Sequence, residues 1–566
     1  MTPFKVALLF GGPSEERGIS LNSARSVNDH LDGVDIIPLY FNLDKVPHFI
    51  DRKHLYSNTP SDFDFKINSI GTPLTEGELV GLLQEADICF PVIHGAFGEG
   101  GELAGFLEAN RIPFIGCNSA SSSRAFDKHV AAGRLRSKGF HTPPSLLLEN
   151  PDAPALGKIE KFFRENGLKK AILKPARSGS SIGVTVVTSP RETLKVFQSL
   201  HAQKLDTRFV LEPYMEGREF TVIILQNTQG EPVSLLPTEI EITDADQSLF
   251  DYRLKYLPTR QVLYHMPPRF SSREVAEIQE KVEALFTLMD LRDAVRVDGW
   301  LLPDGNIWFS DFNLASGLDQ NSFFFLQAAY LGWSHSRALH YVLHSACCRR
   351  GIQPPRISPS GQKWKKRAVR VLFGGDSSER QVSLMSGSNV WLKLRKSPTY
   401  SPEPYLLDID GRIWKLPYPA ALRHTVEEVS EACRQIIKDM DRLTAYQTAI
   451  GSRLQPDTSL PLDPLETPLH MNMEEFIQDP SIVFLAVHGG IGENGKLQEI
   501  LAGAKIPFTG SLSASARLCM DKFDTVKALE NYGKHGIFVA PKQKLDTRTL
   551  LGLEESKLQK VWNSLV

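Results

Sequence analysis

Two stretches of this chain occur twice, and this internal repeat limits the fold more than any other feature. The segment VALLFGGPSEERGISLNSA (6–24) returns as VRVLFGGDSSERQVSLMSG (369–387). Residues 88–131 return as residues 482–525 at a constant offset, with no gap in the alignment. Similarity over such lengths indicates a tandem duplication, so the same domain should be built twice.

The residues between the copies, RRGIQPPRISPSGQKWKKR (349–367), are rich in proline, serine and basic residues, which is typical of a linker. Carrying the offset to the end of the chain places Val566 just short of the position that matches Lys174. We therefore expect the second copy to be truncated, either as a fragment of a longer polypeptide or as a degenerate repeat.

Strand and helix patterns alternate in the first part of each copy. An apolar strand at 4–10 ends in two glycines, and a helix follows from about Ser20. A second strand, 88–93, ends at His94, and IPFIG (112–116) reads as a short third strand. This alternation predicts a parallel α/β sheet with ligands at the carboxyl ends of its strands.

The pattern changes to strand-rich stretches with long loops from about residue 170. Within this part, residues 271–290 have apolar residues at helical spacing and predict a helix. The fold class expected from the residues is thus α/β and α+β.

Composition excludes some classes of partner. The chain has 566 residues with 64 Lys and Arg against 66 Asp and Glu, so no electrostatic argument favours nucleic acid or an anionic membrane. Its six cysteines lack metal-ligand spacing and indicate free thiols in a reducing compartment. There is no secretory signal pattern and no apolar run of membrane-spanning length, so we expect a cytoplasmic protein.

The stretch RVDGWLLPDGNIWFSDFN (296–313) predicts a β-hairpin around Pro303-Asp304-Gly305-Asn306. A turn centred between Asp304 and Gly305 puts Asp298 opposite Asp311 and Arg296 opposite Asn313, all on one face. The other face, directed into a core, should carry Val297, Leu301, Trp308 and Phe312. Two carboxylates and an amide oxygen suit Mg²⁺, although a solvated surface hairpin explains this stretch alone about equally well.

Three further stretches have residue types suited to phosphate chemistry. The Gly/Ser loop in ILKPARSGSSIGV (172–184) can fold its N–H groups over phosphate oxygens, or can be an ordinary flexible connection. In VLEPYMEGREFTVIIL (210–225), the linker between two strands can present backbone groups to an adenine edge, or can be a plain β connection. The loop LFDYRLKYLP (249–258) carries a lysine, as a lid over phosphoryl chemistry would.

Together these motifs resemble the D-alanine–D-alanine ligase family of the ATP-grasp superfamily. The resemblance covers about residues 4–345, and its N-terminal third recurs at 368–540. It is carried, in order, by GGPSEERGISLNS, HG-x-x-GE-x-G, FDK, KP-x-R-x-GSS-x-G, E-F-T-V, DY-x-x-KY, and R-x-D before D-x-N. It implies an ATP-dependent ligase that joins two D-alanines through an acyl phosphate for peptidoglycan synthesis.

The resemblance also implies roles for individual residues. ATP would be held by Lys128, Lys174, Ser181, Glu212, Pro213, Tyr214, Met215, Glu219 and Lys255. Two Mg²⁺ (or Mn²⁺) ions would be held by Asp298, Asp311 and Asn313.

The two amino acids would be held by a second set of residues. Glu16 would bind the ammonium of the first D-alanine, and Ser180 and Tyr256 would link to it and close the lid. Arg296 and the Gly317 backbone would form the oxyanion site, Ser322 would take the carboxylate of the second D-alanine, and His94 would line the pocket. A tyrosine at position 256 favours the dipeptide as product.

Three positions depart from the family pattern. Asp311 stands where the family has glutamate, Asn313-Leu-Ala-Ser-Gly-Leu318 lacks the proline of the family loop, and Ser178 replaces an acidic residue. The departures at Asp311 and at Ala315-Ser316 motivate an alternative, a nucleotide-binding pseudoenzyme or scaffold that regulates a partner ligase.

The resemblance predicts the domain order along the chain. Residues 1–125 form an N-terminal parallel α/β (pre-ATP-grasp) domain and 126–348 an ATP-grasp fold, followed by the linker 349–367. Residues 368–540 form a second N-terminal α/β domain, and 541–566 begin a truncated second ATP-grasp domain. We expect the two N-terminal domains to pair as an internal pseudo-dimer, or across a homodimer.

Overall fold

The computed structural model describes residues 3–56, 59–178, 183–242, 262–356, 366–454, 462–542 and 544–563. The chain divides into two compact units. The first comprises Met1–Lys363 together with Leu416–Pro468, and the second comprises Trp364–Lys415 together with Leu469–Val566. A segment of the second copy, 416–468, therefore belongs to the same unit as the first copy.

The first sheet of the first unit is mixed: the pairings of β1 are parallel, as predicted, but the third strand is antiparallel to the second and to the fourth. Its strands are β1 (Lys5–Gly11), β2 (Asp35–Phe41), β3 (Pro47–Ile50), β4 (Gly71–Pro73) and β5 (Ile88–Pro91), in the order β4-β3-β2-β1-β5. β1 pairs in parallel with β2 and β5, and its side chains are almost wholly buried, as expected for a strand covered on both faces. The accompanying helices are α1 (Arg17–His30), α2 (Pro60–Ile70), α3 (Glu76–Glu85), α4 (Ala96–Glu99), α5 (Glu102–Ala109), α6 (Ser119–Phe126) and α7 (Lys128–Arg136).

Two local expectations for this domain need correction. Helix α1 begins at Arg17 rather than near Ser20. Residues 112–116 do not form a strand but a single parallel bridge between Cys89 and Phe114. Pro113 has no N–H to donate and Gly116 turns away with φ of +117°, so the ladder cannot extend.

A second, antiparallel sheet follows in the chain. Its strands are β6 (Leu146–Leu148), β7 (Ala171–Pro175), β8 (Thr185–Val187) and β9 (Phe209–Pro213), in the order β6-β9-β7-β8, with helices α8 (Ala153–Glu165) and α9 (Pro190–Ala202). The sheet places Lys174 near the end of β7 and Glu212 beside it on β9, because Ile172 is the cross-strand partner of Glu212.

The third sheet carries the predicted hairpin. Its strands are β10 (Arg218–Gln226), β11 (Pro232–Ser234), β12 (Thr238–Ile242), β13 (Val262–His265), β14 (Ala294–Leu301) and β15 (Ile307–Asn313), in the order β13-β12-β10-β14-β15 with β11 on β10. Helices α10 (Ser272–Leu288), α11 (Phe323–Ala329) and α12 (His335–Arg350) belong to the same part of the chain. The helix expected over 271–290 is confirmed as α10, which Ser271 and Glu274 cap reciprocally.

The residue pairing at the acidic face of the hairpin is as predicted, but it depends on a β-bulge that the prediction did not contain. Asp298 pairs with Asp311 and Arg296 with Asn313, whereas Gly299 pairs with Phe309, so Ser310 is an extra residue in β15. Val297, Leu301 and Phe312 are buried as expected.

The predicted burial of Trp308 is wrong, and the same bulge explains it. The extra residue reverses the side-chain alternation between the turn and the acidic face, so Phe309 is buried and Trp308 pairs with Trp300, both only half-buried.

The second copy begins with β16 (Arg367–Gly374), α13 (Arg380–Leu394), β17 (Tyr400–Leu407) and β18 (Ile413–Lys415). After a long helix, α14 (Val426–Leu454), it continues with β19 (Leu469–Met471), α15 (Met473–Phe476), β20 (Ile482–Leu485), α16 (Gly490–Glu493), α17 (Lys496–Gly503), α18 (Ser513–Met520), α19 (Lys522–Leu529), α20 (Thr547–Leu551) and α21 (Glu555–Asn563). The sheet of the second unit has the order β19-β18-β17-β16-β20, which matches the first sheet strand for strand.

The two copies differ in the connection between their third and fourth strands. In the first copy this connection is residues 51–70, and in the second it is residues 416–468, which contain α14. α14 is kinked at Asp439 and lies within the first unit. Across the described helices, none is both long and apolar enough to span a bilayer.

Candidate active site

The face of the β14–β15 hairpin that was predicted to be polar forms one hydrogen-bonded cluster. Arg296 holds Asp298 through two contacts, Nε to Oδ1 at 3.1 Å and a terminal nitrogen to Oδ2 at 3.2 Å. Asp298 also accepts from the Thr221 hydroxyl at 2.7 Å and from Asn313 Nδ2 at 3.0 Å. Three groups from three neighbouring strands therefore fix one carboxylate through four contacts.

Two lysines approach the other end of this face. Lys128 Nζ lies 3.0 Å from Asp311 Oδ1 and donates to the Ser178 carbonyl at 2.6 Å. Lys174 Nζ lies 2.8 Å from Glu212 Oε2, and both side chains are buried. Burial acts to lower the pKa of Lys174, but the carboxylates of Glu212 and Asp311 outweigh it, so the pKa is raised and the ammonium is kept.

A third group lies at the carboxyl ends of β1 and β5. Glu16 immediately precedes α1, and His94 and Gly95 lie between β5 and α4. Gly95 has φ of +81°, and a Cβ there would lie 2.7 Å from the Ser14 hydroxyl and 3.7 Å from Glu16 Oε2. Glycine is thus required for the two loops to approach each other.

Glu99 ties these loops to the residues that follow the hairpin. Its carboxylate accepts from the Gly95 N–H at 2.8 Å and from the Ala315 N–H at 3.1 Å. Burial, with a contribution from nearby Glu16, raises the pKa of Glu99 to about 7. The N-terminal domain and the ATP-grasp part are therefore joined at the site itself.

His94 is buried beside the same groups. Burial lowers its pKa, so the imidazole is neutral near pH 7 although Glu16 acts in the opposite direction. Its Nε2 is buried without a hydrogen-bond partner among the described residues. An unsatisfied buried polar atom is costly, which makes this nitrogen a candidate contact for a ligand.

A pocket opens over the hairpin, with about 580 Å³ of empty space when the open solvent at its mouth is included. Its lining comprises Glu219, Ile240, Tyr264, Arg296, Asp298, Gly317, Asp319, Asn321, Ser322, Phe323 and His424. The Ser322 hydroxyl is buried and has no partner within the described part of the chain. The guanidinium of Arg296 lies 5.9 Å from the ring centroid of Phe323, which helps to hold it at this wall.

The residues predicted to hold Mg²⁺ fit that ion by their donor chemistry. Asp298, Asp311 and Asn313 supply two carboxylates and an amide oxygen on one face, the hard ligands that Mg²⁺ prefers. No group of three or more His, Cys, Asp or Glu side chains in the described ranges is arranged as a metal centre.

Most of the predicted site residues meet in two connected places. Arg296, Asp298, Gly317, Ser322 and Glu219 line the pocket, and Glu16 and His94 lie together at the strand ends. Lys128, Lys174 and Glu212 lie near Asp311, and Pro213 to Met215 directly follow Glu212 at the end of β9. The predictions for Ser180, Ser181, Lys255 and Tyr256 fall outside the described residues.

Sequence reasoning assigned no role to four residues that the structure places at the site. Thr221 lies two residues beyond Glu219 on β10, so the strand period would have found it. Glu99 stands inside the HG-x-x-GE motif, and Asp319 lies in the loop that carries Gly317 and Ser322. His424 comes from the second copy, and no pattern in the sequence links it to this pocket.

The second unit contains a matching but open arrangement. A Cβ on Gly489 would lie 2.8 Å from Glu379 Oε2, and His488 Nδ1 lies 3.8 Å from Glu493 Oε1. The Glu493 side chain is 47% exposed, whereas its counterpart Glu99 is buried. In the first copy the residues after the hairpin provide that cover.

Comparisons with known proteins identify the same family. The family described as "D-ala D-ala ligase C-terminus" matches residues 138–344, and "D-ala D-ala ligase N-terminus" matches residues 5–117 and again 368–511. A D-alanine–D-alanine ligase from Chlorobium phaeobacteroides is 28% identical over 337 residues, which is 56% of this chain and 91% of that protein. One from Streptomyces griseus is 29% identical over 340 residues, covering 55% and 85%.

Solved structures of D-alanine ligases also resemble this chain. The VanG D-Ala:D-Ser ligase from Enterococcus faecalis has a TM-score of 0.53 at 25% identity and covers 61% of this chain and all of that one. The D-alanine–D-alanine ligase from Coxiella burnetii has a similar fold, with a TM-score of 0.52 at 23% identity, covering 62% and 96%. Because the family models together match more than half of its residues, at 5–117, 138–344 and 368–511, the chain belongs to the D-alanine–D-alanine ligase family.

Proposed function

We propose that this protein joins two D-alanines to D-alanyl-D-alanine, with cleavage of ATP to ADP and phosphate, for peptidoglycan precursor synthesis. One observation carries the proposal: Arg296, Gly317 and a Ser322 hydroxyl that has no hydrogen-bond partner among the described residues line one pocket above the acidic hairpin. The reducing cytoplasm is the proposed location, which suits a chain whose six cysteines are all free.

A carboxylate is a poor electrophile, so the first D-alanine is activated before the bond forms. Its carboxylate oxygen attacks the γ-phosphorus of ATP, giving an acyl phosphate and ADP. Lys128 and Lys174 lie where cations can balance the charge of the transferring phosphoryl group. Glu16 binds the ammonium of this D-alanine and holds it in line.

The amine of the second D-alanine then attacks the acyl carbon, and phosphate leaves with the former carboxylate oxygen. Arg296, which lines the pocket, is the proposed group that stabilises the charge of the tetrahedral oxyanion. Ser322 holds the carboxylate of the second D-alanine. Orienting both amino acids before reaction supplies a large share of the rate.

Asp298, Asp311 and Asn313 are the proposed Mg²⁺ ligands. Bound there, Mg²⁺ would neutralise phosphate charge and orient the γ-phosphoryl group. In the structure Asp298 forms an ion pair with Arg296, and Asp311 forms one with Lys128. The carboxylates that would bind Mg²⁺ are therefore neutralised by side chains of the protein. Binding of ATP and Mg²⁺ would draw the lysine toward the phosphates.

The test is phosphate release from ATP by the full chain with D-alanine, with L-alanine as the comparison. We expect turnover with D-alanine only, and Arg296→Ala should lower kcat by roughly 10²–10³-fold. Arg191→Ala, at an exposed arginine on α9, is the matched control and should behave as wild type. A folded wild-type protein without D-alanine-dependent turnover would refute the proposal.

A second candidate is a nucleotide-binding pseudoenzyme that regulates a partner ligase. Asp311 favours it, because its shorter side chain pairs with Lys128 in place of the family's glutamate. This candidate predicts that ATP binds with D-alanine present but that no dipeptide forms.

We also propose that the two N-terminal domains pair, either within one chain as an internal pseudo-dimer or between chains as a homodimer. The family's N-terminal model matches two ranges, which supports two similar pairing surfaces in one chain. Solution scattering distinguishes the arrangements, since only the homodimer doubles the mass of 63.2 kDa.

A further inference from the structure

The second copy contributes a side chain to the pocket of the first copy. His424 lines the same pocket as Arg296, Gly317 and Ser322, although it follows them by more than a hundred positions in sequence. It lies in the segment 416–468, which belongs to the first compact unit. The corresponding connection in the first copy is only 51–70, so this segment is an addition specific to the second copy.

The segment is fixed next to the pocket by buried polar contacts. Arg423 is buried and donates to the carbonyls of Tyr264 and Met266, at 2.9 and 3.0 Å, and to the Tyr330 hydroxyl at 3.0 Å. Hydrogen bonds from a charged donor in a buried position are among the stronger ones. His424, the next residue, is therefore held against β13.

Ring contacts connect His424 to the oxyanion-site arginine. The His424 ring centroid lies 5.2 Å from that of Tyr264, which lies 5.1 Å from that of Phe323 in an edge-to-face arrangement. The guanidinium of Arg296 lies over the Phe323 ring, 5.9 Å from its centroid. The pocket wall is thus one continuous stack that begins in the second copy.

The segment 416–468 also contacts, through His335, the loop that carries Ser322. The hydroxyl of Tyr418, in the same segment, lies 2.6 Å from His335 Nδ1, and His335 Nε2 lies 2.7 Å from the Gln320 carbonyl. The segment therefore holds both the wall and the loop of the pocket.

We propose that His424 is a positioning residue that contacts the second D-alanine and sets the preference among acceptors, an inference that rests on the proposed function. Its Nδ1 makes no hydrogen bond among the described residues and lies 3.9 Å from Glu428 Oε2, so the ring lies between that carboxyl group and the pocket that it lines. Burial and the neighbouring Arg423 lower the pKa of His424 to about 4, so the ring orients the acceptor as a neutral group and does not take its proton.

The experiment measures initial rates of the full chain over a wide range of D-alanine concentrations, which separates the two D-alanine sites. His424→Ala should raise KM for the second D-alanine about tenfold while kcat and the KM for ATP stay within about threefold. His424→Gln, which keeps a hydrogen-bonding side chain, should recover part of the loss. Ser452→Ala, on the exposed part of α14, is the control and should match wild type.

A competition between D-alanine and D-serine provides a readout that a purely structural role would not change. We expect His424→Ala to alter the ratio of the two products. Unchanged KM for the second D-alanine and an unchanged product ratio would overturn the proposal, as would an equal rise in the KM for ATP.

Failure of the proposed function would be distinguished from failure of this inference. If wild type forms no dipeptide, NMR can still detect binding at His424. The imidazole signal of His424 is assigned by its loss in His424→Ala. It is then followed while D-alanine, and afterwards D-serine, is added in the presence of a non-hydrolysable ATP analogue. Movement of that signal supports the contact with an amino acid, and an unmoved signal overturns it.

Discussion

Asp311 is the residue whose chemistry departs most directly from the family pattern at the hairpin. Its side chain is one methylene shorter than that of glutamate. The carboxylate nevertheless lies 3.0 Å from Lys128 Nζ. Asp311→Glu should extend the carboxylate toward the bound phosphates and raise the apparent affinity for Mg²⁺ on the order of tenfold, with higher turnover. Initial rates against Mg²⁺ concentration measure this, and Asp311→Asn should lose activity. Unchanged rates in Asp311→Glu would favour the pseudoenzyme.

Glu99 predicts a dependence of stability on pH. Burial first, and then nearby Glu16, raises the pKa of Glu99 to about 7 from an ordinary value near 4.5. Between these pH values the folded state holds a proton that the unfolded chain has lost, so stability falls as pH rises from about 4.5 to 7. The free energy of unfolding should change by at most ~3 kcal/mol over this window, since one pKa unit is about 1.36 kcal/mol.

Glu99→Gln should remove this dependence. Urea unfolding at pH 5 and 7.5 measures the free energy of unfolding. The transition is monitored by hydrogen exchange of peptides from the first compact unit. Glu493→Gln, at the exposed counterpart in the second copy, is the matched control and should retain the wild-type profile. The same pH profile in all three proteins would contradict the assignment of the effect to Glu99.

At the scale of secondary-structure elements, α14 is the helix whose anchoring is easiest to test. Arg442 donates to the carbonyls of Pro268 and Phe270, and Arg453 holds both oxygens of Glu283. Arg442→Met should lower protection from hydrogen exchange across 440–454 by about 1–3 kcal/mol, because two carbonyls lose a charged donor. Arg434→Met, at an exposed arginine paired with Glu431 on the same helix, should leave protection unchanged. Equal protection in both variants would show that Arg442 does not anchor the helix.

The hairpin shows which parts of an element its sequence predicts. The turn residues Pro303 to Asn306 and the flanking strand formers predicted the hairpin, but Asp298 lies opposite Asp311 only because the bulge shifts the register by one residue. They could not reveal the bulge at Ser310, which reverses Trp308 and Phe309, because a bulge depends on the neighbouring strands as well as on local preference. Helix α10 was predicted from its spacing alone, since its apolar residues all face one core.

The candidate site likewise contains residues that the sequence could predict and one that it could not. Residues within motifs, such as Glu16, Arg296 and Ser322, were found because each motif keeps a fixed local spacing. His424 was missed because its place depends on the long connection 416–468 folding onto another copy, a contact with no local signature.

At the scale of the whole molecule, the position of 416–468 predicts how the chain behaves when it is cut. A protease site introduced into the linker 349–367 would sever the two copies after folding. We expect the fragments to elute together in gel filtration, because 416–468 remains in the first compact unit. Adding Arg442→Met and Arg453→Met should promote their separation. Fragments that separate at once, without these substitutions, would contradict the assignment of 416–468 to the first unit.

The central claim is that the whole chain activates one D-alanine as an acyl phosphate and transfers it to a second. D-Alanine labelled with ¹⁸O in both carboxylate oxygens tests this most directly, with mass spectrometry of the phosphate and the dipeptide. The account predicts one ¹⁸O in each inorganic phosphate released and the other in the new peptide carbonyl. Dipeptide formed without ¹⁸O in the phosphate, or phosphate released unlabelled with no dipeptide, would contradict it.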